Sequence, residues 1–242
     1  MKFFLLLACF CAMIAAPSPA AETVVLLHGL GRSPWSMAYL ASRLERAGYH
    51  VVNLSYPSRT VPIEALAASW LPARLDESGA ATAARVHLVT HSMGGIMLRL
   101  WLTRRAAPAN LGRVVMLAPP NAGSEISDRL VAFPPFRWFT GINGRRLGTR
   151  PTDLPRSLGP WPVGAPTLGI IAGDHSLNPL FSAWLPGPND GKVSVASTKL
   201  SGMSDAIVLH HSHTWLAWHD DTAAQVVGFL RDGRFTAAAV SK

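Results

Sequence analysis

Short apolar runs alternate with amphipathic stretches along most of the chain, and this alternation predicts a mostly parallel sheet covered by helices on both faces. The runs rich in Val, Ile and Leu predict six buried strands, at 23–27, 50–54, 86–89, 114–117, 167–171 and 206–209. Helical spacing of apolar positions occurs between them at 36–47, 63–75 and 94–105, and after the last of them at 222–230. The pattern therefore predicts one domain of the α/β class.

One segment, residues 124–162, breaks this alternation. It contains repeated prolines, several arginines and an aromatic cluster formed by Phe133, Phe136, Trp138 and Phe139. A long irregular connection inside an α/β domain is usually a lid or a binding loop. Apolar side chains in a polar insertion favour contact with an apolar ligand, although the rings would also fit a loop that packs back onto the domain. We expect a lid-like insertion that covers the substrate.

The first residues have the pattern of a secretory signal peptide. Lys2 is followed by an apolar run at 3–16 and by small residues before Glu22. This run is too short for an ordinary membrane-spanning helix. We expect a signal peptide at 1–21, a single α/β domain at 22–242, and export to the periplasm or the medium. The alternative is a lipoprotein signal acylated at Cys9; in the signal-peptide interpretation both cysteines are removed and the mature chain has no disulfide.

Composition narrows the class of protein. The 242 residues are 49% hydrophobic and 15% charged, which excludes intrinsic disorder. The net charge is +8, or +7 once Lys2 is removed, with arginines concentrated in the insertion at Arg145, Arg146, Arg150 and Arg156. No nucleic-acid-binding motif accompanies this charge. We expect a monomer with a basic surface, without a nucleic-acid partner, and with peripheral contact to an anionic membrane surface as a hypothesis.

The sequence THSMGG at 90–95 follows the third predicted strand and precedes a helical pattern. A serine at a sharp turn between strand and helix, flanked by small residues, exposes its hydroxyl as a nucleophile. Ser92 is therefore the candidate nucleophile. Thr90 stands where this motif usually has its first glycine, and it is still a fairly compact side chain.

The sequence HGLG at 28–31 follows the first predicted strand. A strand ending in His-Gly upstream of the serine is typical of a loop that donates a backbone N–H to an oxyanion. The expected donors are the N–H groups of Leu30 and Met93. A phosphate-binding loop is the rival interpretation, but neither of its glycine patterns is present. His28 is expected to have a structural role because it precedes the serine.

A serine hydroxyl needs a base and a group that orients the base. Asp174 and Asp190 both follow the fifth predicted strand, and the tight-turn sequence Asn-Asp-Gly favours Asp190. After the last strand, His213 lies furthest into the loop and is the favoured base, with His210 and His211 as alternatives. A zinc pair formed by those two is disfavoured because the expected mature chain has no cysteine and the sequence has no H-E-x-x-H pattern. We expect neither a metal nor a cofactor.

Together these segments resemble the bacterial esterase/lipase branch of the α/β-hydrolase superfamily. The resemblance is carried by VLLHGL (25–30), THSMGG (90–95), APPNAGS (118–124), NDGKV (189–193) and SHT (212–214). It implies an α/β-hydrolase fold and a lid at 124–162, and the Asn-Asp-Gly context resembles that of triacylglycerol lipases. The implied function is hydrolysis of carboxylic or lipid esters through a Ser-His-Asp triad and an acyl-enzyme. The alternatives are an acyltransferase or thioesterase acting on envelope lipids, and a non-catalytic binding module.

Overall fold

The computed structural model describes residues 21–236, so most of the predicted signal peptide, including Cys9, lies outside the described residues. Six parallel strands form one sheet in the order β2-β1-β3-β4-β5-β6. The strands are β1 (Thr23–Leu27), β2 (His50–Leu54), β3 (Val86–His91), β4 (Leu111–Leu117), β5 (Leu168–Gly173) and β6 (Asp205–Leu209). The predicted α/β class is confirmed, and each predicted strand is present with its ends shifted by at most a few residues.

The helices connect consecutive strands and form the insertion. They are α1 (Ala38–Arg46), α2 (Ile63–Ala65), α3 (Leu71–Glu77), α4 (Met93–Arg104), α5 (Glu125–Leu130), α6 (Pro134–Thr140), α7 (Leu154–Ser157), α8 (Pro179–Trp184), α9 (Val195–Thr198) and α10 (Asp220–Asp232). A π-helical turn, Leu66–Trp70, joins α2 to α3. Within residues 21–236, no helix has the length and apolar character needed to cross a membrane.

The sheet has a buried layer on each face. Val24 and Leu26 of β1 pack with the layer that contains Phe229 of α10, whereas Val25 and Leu27 pack with the layer formed by α2, α3 and α4. Successive residues of a strand point to opposite faces, so a strand covered on both sides must be apolar throughout. This explains why β1 is a continuous apolar run in the sequence.

Helix α4 crosses close to the end of β1. A Cβ atom at Gly94 would lie 2.8 Å from the carbonyl oxygen of Leu27 and 2.9 Å from that of His28. Because both neighbours are backbone atoms, they cannot move aside as a side chain would. Glycine at this position therefore lets the helix that begins after Ser92 approach the strand that carries the HGLG turn.

The insertion at 124–162 contains three short helices, α5, α6 and α7, where an irregular connection is expected from its prolines. Pro134 and Pro155 lie in the first turns of α6 and α7. A proline in the first helical turn costs no hydrogen bond, since the N–H groups there have no intrahelical acceptor. Asn143 fastens the insertion to the domain by donating to the carbonyls of Ser58 (2.9 Å) and Val61 (2.8 Å).

Candidate active site

Ser92 occupies the turn between β3 and α4 in a conformation that is uncommon for a residue with a side chain. Its φ is 53° and its ψ is −123°. A positive φ of this kind is strained and is held by its surroundings. The Ser92 N–H donates to the Leu117 carbonyl (2.9 Å), and the Gly95 N–H donates to the Ser92 carbonyl (2.9 Å). The turn directs the Ser92 hydroxyl into a cavity at the carboxyl edge of the sheet.

Two hydrogen bonds connect Ser92, His213 and Asp190. His213 Nε2 is 3.0 Å from Ser92 Oγ, and His213 Nδ1 is 2.7 Å from Asp190 Oδ2. A carboxylate only accepts, so Nδ1 carries the proton and Nε2 is left to accept from the serine hydroxyl. His213 and Asp190 are 4% and 3% exposed. The arrangement therefore has the polarity that a serine nucleophile and its base require.

The Asn-Asp-Gly turn holds the Asp190 carboxylate in place. Its second oxygen, Oδ1, accepts from the backbone N–H groups of Lys192 (2.9 Å) and Val193 (2.8 Å). The side chain of Asn189 accepts from the Gly191 N–H at 3.0 Å. These local bonds are the Asx-turn pattern. They leave Oδ2 for the imidazole.

The three histidines of the 210–214 loop each bind a different aspartate. His210 Nδ1 lies 2.9 Å from Asp174 Oδ1, and His211 Nε2 lies 2.8 Å from Asp221. Both pairs are outside the cavity that contains Ser92. The structure thus brings Ser92, Asp190 and His213 together and places Asp174 elsewhere.

The two expected oxyanion donors flank the serine. Leu30 is in the turn after β1 and lines the cavity, and Met93 is the first residue of α4. In the part of the chain that the structure describes, neither backbone N–H has a protein acceptor. The turn is braced by the Gly31 N–H, which donates to Ser58 Oγ at 3.1 Å. Two free N–H groups beside a candidate nucleophile, one of them at a helix N-terminus, suit a developing negative charge.

Two buried histidines support this geometry. His28 accepts from the Tyr56 N–H at Nε2 (3.3 Å), stacks on the Tyr56 ring, and has Nδ1 2.8 Å from the Gly29 carbonyl. His91, next to Ser92, places Nε2 3.0 Å from the His213 carbonyl. Burial, with a smaller effect from the positive charges around it, holds the pKa of His91 well below its usual range. A neutral His91 donates to the backbone carbonyl of His213, a contact that the THSMGG pattern alone does not show.

The cavity beside Ser92 has a volume of about 350 Å³. Part of its wall is apolar and comes from the insertion; it is formed by Ile126, Leu130, Phe133, Phe136, Phe139 and Leu147. Trp138, predicted to belong to the same aromatic cluster, lies outside this wall. It is 74% exposed and has the Arg59 guanidinium over its ring. Three of the four predicted aromatic residues therefore face the cavity.

The cavity also contains polar residues that the sequence motifs do not indicate. Arg32 and Lys192 line it, and the Arg32 guanidinium donates to Thr214 Oγ1 at 3.0 Å. Burial, together with the nearby Arg32, lowers the pKa of Lys192 to about 8. Their only signal in the sequence is that each directly follows the glycine of a motif, Gly31 or Gly191. Over residues 21–236, no cluster of His, Cys, Asp and Glu is suited to hold a metal ion.

The chain belongs to the alpha/beta hydrolase family, whose model matches residues 24–237. This match, together with the parallel sheet, confirms the predicted family and fold. The sequence matches no curated protein.

Several solved structures share the fold. The mature lipase BlEst2 of Bacillus licheniformis has a TM-score of 0.68 and 21% identity, covering 89% of this chain and 94% of its own. Phospholipase PlaB from Legionella pneumophila has a TM-score of 0.66 and 18% identity, covering 87% of this chain and 60% of its own. The metagenomic carboxyl esterase MGS0156 has a TM-score of 0.59 and 19% identity, with 82% and 66% covered. At these identities the shared property is the fold.

Proposed function

We propose that this protein is a serine esterase that hydrolyses carboxylic or lipid esters through an acyl-enzyme. The observation that carries the proposal is the uninterrupted line of hydrogen bonds from Asp190 through His213 to Ser92. The family match supports a hydrolase, and structures of the same fold include a lipase, a phospholipase and a carboxyl esterase. Fold alone does not define a reaction, so the argument rests on the site.

In the first step, Ser92 Oγ forms a bond to the ester carbonyl carbon while His213 Nε2 takes the hydroxyl proton. The carbonyl oxygen becomes an oxyanion and accepts from the N–H groups of Leu30 and Met93. Asp190 stabilises the imidazolium that forms. Such an oxyanion donor typically contributes about 10²- to 10³-fold to the rate.

In the second step, the bond between the carbonyl carbon and the alcohol oxygen breaks. His213 returns its proton to that oxygen, the alcohol leaves, and the acyl group remains on Ser92. Water then attacks the carbonyl carbon of the acyl-enzyme while His213 takes a proton from it; the bond from that carbon to Ser92 Oγ breaks, Oγ receives the proton back from His213, and the acid is released. If an alcohol or a thiol took the place of water, the same site would transfer the acyl group instead.

The insertion is proposed to bind the acyl chain. Phe133, Phe136 and Phe139 contribute to the cavity wall next to the nucleophile, and apolar contact is what an acyl chain requires. Export of the protein, with cleavage near residue 21, is proposed on the pattern of the first residues. Contact with an anionic lipid surface is proposed on the exposed arginines of α6 and the turn after it, Arg137 and Arg145.

The decisive experiment is the Ser92→Ala substitution. We expect hydrolysis of p-nitrophenyl butyrate to fall by about 10⁴-fold or more, because the nucleophile is removed. Covalent labelling by a fluorophosphonate should disappear as well. The exposed Ser201 provides the matched control, and Ser201→Ala should retain both properties. Persistent turnover and labelling in folded Ser92→Ala protein would contradict the proposed function.

A further inference from the structure

Two cationic side chains face the cavity that contains Ser92. They are Arg32 and Lys192, and no Asp or Glu side chain among the described residues lines the same cavity. Within residues 21–236, neither cation forms an ion pair. Buried or half-buried charges are usually paired, so two unpaired cations beside a reactive hydroxyl require an explanation.

Arg32 and Lys192 are each connected by a hydrogen bond to a loop that carries His213 or Asp190. The Arg32 guanidinium donates to Thr214, the residue after His213, and the Lys192 backbone donates to Asp190. The apolar part of the wall comes from different elements, α5, α6 and the turn that ends at Leu147. The cavity therefore has a cationic part next to the base and an apolar part from the insertion.

The base determines which half of the substrate lies near these cations. His213 returns its proton to the alcohol oxygen, so that oxygen must come within hydrogen-bond distance of Nε2. The alcohol half of the ester then lies near the loop to which Arg32 is bound, and the acyl half is left for the apolar wall.

A bound anion would relieve the mutual repulsion of the two cations. Burial and the Arg32 charge disfavour the charged form of Lys192 and lower its pKa to about 8, against the opposing effect of Asp190. A bound anion would favour the charged form. A phosphate suits the pair because it has several oxygens. These can accept hydrogen bonds from the planar guanidinium of an arginine and from the ammonium group of a lysine at the same time.

We propose that the substrate is an ester whose alcohol half carries a phosphate group, and that Arg32 and Lys192 bind this phosphate. This inference rests on the proposed esterase function and adds a substrate class to it. Esters of glycerol phosphate, as in lysophospholipids, have the required arrangement of an acyl ester a few bonds from a phosphate.

The test compares two soluble substrates that differ only in the phosphate, 1-butyrylglycerol 3-phosphate and 1-butyrylglycerol. The quantity measured is the selectivity, the kcat/KM of the phosphorylated ester divided by that of the uncharged ester. We expect a selectivity of about tenfold or more in the native sequence and a loss of about tenfold in Lys192→Met or Arg32→Met, since charge-assisted bonds are lost. General damage to catalysis lowers both values of kcat/KM and cancels in the selectivity.

Matched variants distinguish an effect of the lost charge from an effect on the structure of the site. Lys192→Arg retains the charge and should retain most of the selectivity. Lys199→Met removes an exposed lysine outside the cavity and should behave as the native sequence. A selectivity near one in the native sequence, or a selectivity unchanged in both Met variants, would overturn the proposal.

A third substrate, mono-p-nitrophenyl glutarate, carries its anion on the acyl half and is compared with p-nitrophenyl butyrate. We expect no preference for the glutarate, and a preference for it would overturn the assignment to the alcohol half. Hydrolysis of uncharged esters without selectivity would remove this inference alone. Absence of hydrolysis of every ester would remove the proposed function and this inference with it.

The pH dependence gives an independent readout. Lys192 is faced by Arg32 from the turn after β1, by Asp190 from its own loop and by His91 from β3. As pH rises through about 8, Lys192 loses its charge, whereas the phosphate, with a second pKa near 6, is already fully ionised. The selectivity should therefore fall between pH 7 and 9 in the native sequence but not in Lys192→Met, because any general effect of pH on the acyl-transfer step affects both substrates equally. The same fall in Lys192→Met would contradict a charge role for this lysine.

Discussion

The two aspartates after β5 differ in what their carboxylates bind. Asp190 is buried and orients His213, whereas Asp174 is partly exposed and binds His210 outside the cavity. In Asp190→Asn, the amide no longer fixes the proton on Nδ1, so we expect kcat for p-nitrophenyl butyrate to fall by about 10³- to 10⁴-fold. Asp174→Asn is the matched control and should change kcat by less than about twofold. The reverse order would transfer the role to Asp174.

Arg99 is another residue whose partners decide its role. It is 1% exposed, and its guanidinium donates to the backbone and side-chain oxygens of Asn121 (both 3.1 Å) and to the Gly159 carbonyl (2.6 Å). Burial lowers its pKa to about 10, so it remains charged at neutral pH. Arg99 thereby ties α4 to Asn121, which precedes the insertion, and to Gly159 near the end of the insertion.

We expect Arg99→Met to lower the free energy of unfolding by about 1–3 kcal/mol, because it leaves buried carbonyl oxygens without donors. Urea unfolding followed by circular dichroism measures this change. Arg104→Met, at an exposed position of the same helix, should be nearly neutral. An Arg99→Met protein as stable as the native one would show that the three bonds contribute little.

At the scale of elements, the sequence pattern predicts the secondary structure of the insertion less well than that of the rest of the domain. Helices α5, α6 and α7 have four to seven residues, and helices this short show too little periodicity to be recognised. By contrast, the four longer helical patterns, at 36–47, 63–75, 94–105 and 222–230, all correspond to helices in the structure. The prolines that suggested an irregular loop instead begin two of the short helices.

The side of α6 that faces the cavity should affect the choice of acyl chain. We expect Phe136→Ala and Phe139→Ala to lower kcat/KM for p-nitrophenyl octanoate relative to butyrate by about three- to tenfold, through partial loss of apolar contact. A chain-length series of p-nitrophenyl esters measures the effect. Trp138→Ala is the control from the same helix, because Trp138 is outside the cavity wall. An unchanged chain-length profile in both Phe variants would exclude α6 from acyl binding.

At the scale of the whole molecule, three buried histidines link stability to pH. Burial lowers the pKa of His28, His87 and His91. His87 illustrates the cost of protonation, because its Nδ1 accepts from the Arg113 N–H at 2.9 Å and cannot do so once protonated. Below the unfolded-state pKa of about 6.5, the unfolded chain therefore binds more protons than the folded chain.

We expect the free energy of unfolding to decrease as pH falls from about 6.5 to 5, with each histidine adding up to about 1.4 kcal/mol per pH unit. Urea unfolding at several pH values measures the slope. His87→Gln should reduce this slope, since one of the three groups no longer titrates. A stability that is constant between pH 5 and 7 would contradict the prediction.

The sequence by itself determined the class of fold, because a strand covered on both faces must be apolar throughout and a long surface helix must be periodic. It also located the candidate nucleophile, since the turn at Ser92 requires small neighbours in a short stretch of chain. The sequence also favoured Asp190 and His213 over the neighbouring aspartate and histidines, but the contact of these two residues with Ser92 depends on tertiary structure. The loops after β3, β5 and β6 meet at one edge of the parallel sheet, and only there does His213 contact both Ser92 and Asp190.

The proximity of Arg32 and Lys192 is also decided by tertiary structure. Arg32 and Lys192 are 160 positions apart in the chain, and each by itself resembles an ordinary surface charge. Folding places them on the same cavity and buries them in part, because β1 and β5 deliver their following loops to the same edge of the sheet. Sequence pattern records which residues prefer to be buried and where the chain turns, whereas long-range proximity is decided by how the sheet is ordered.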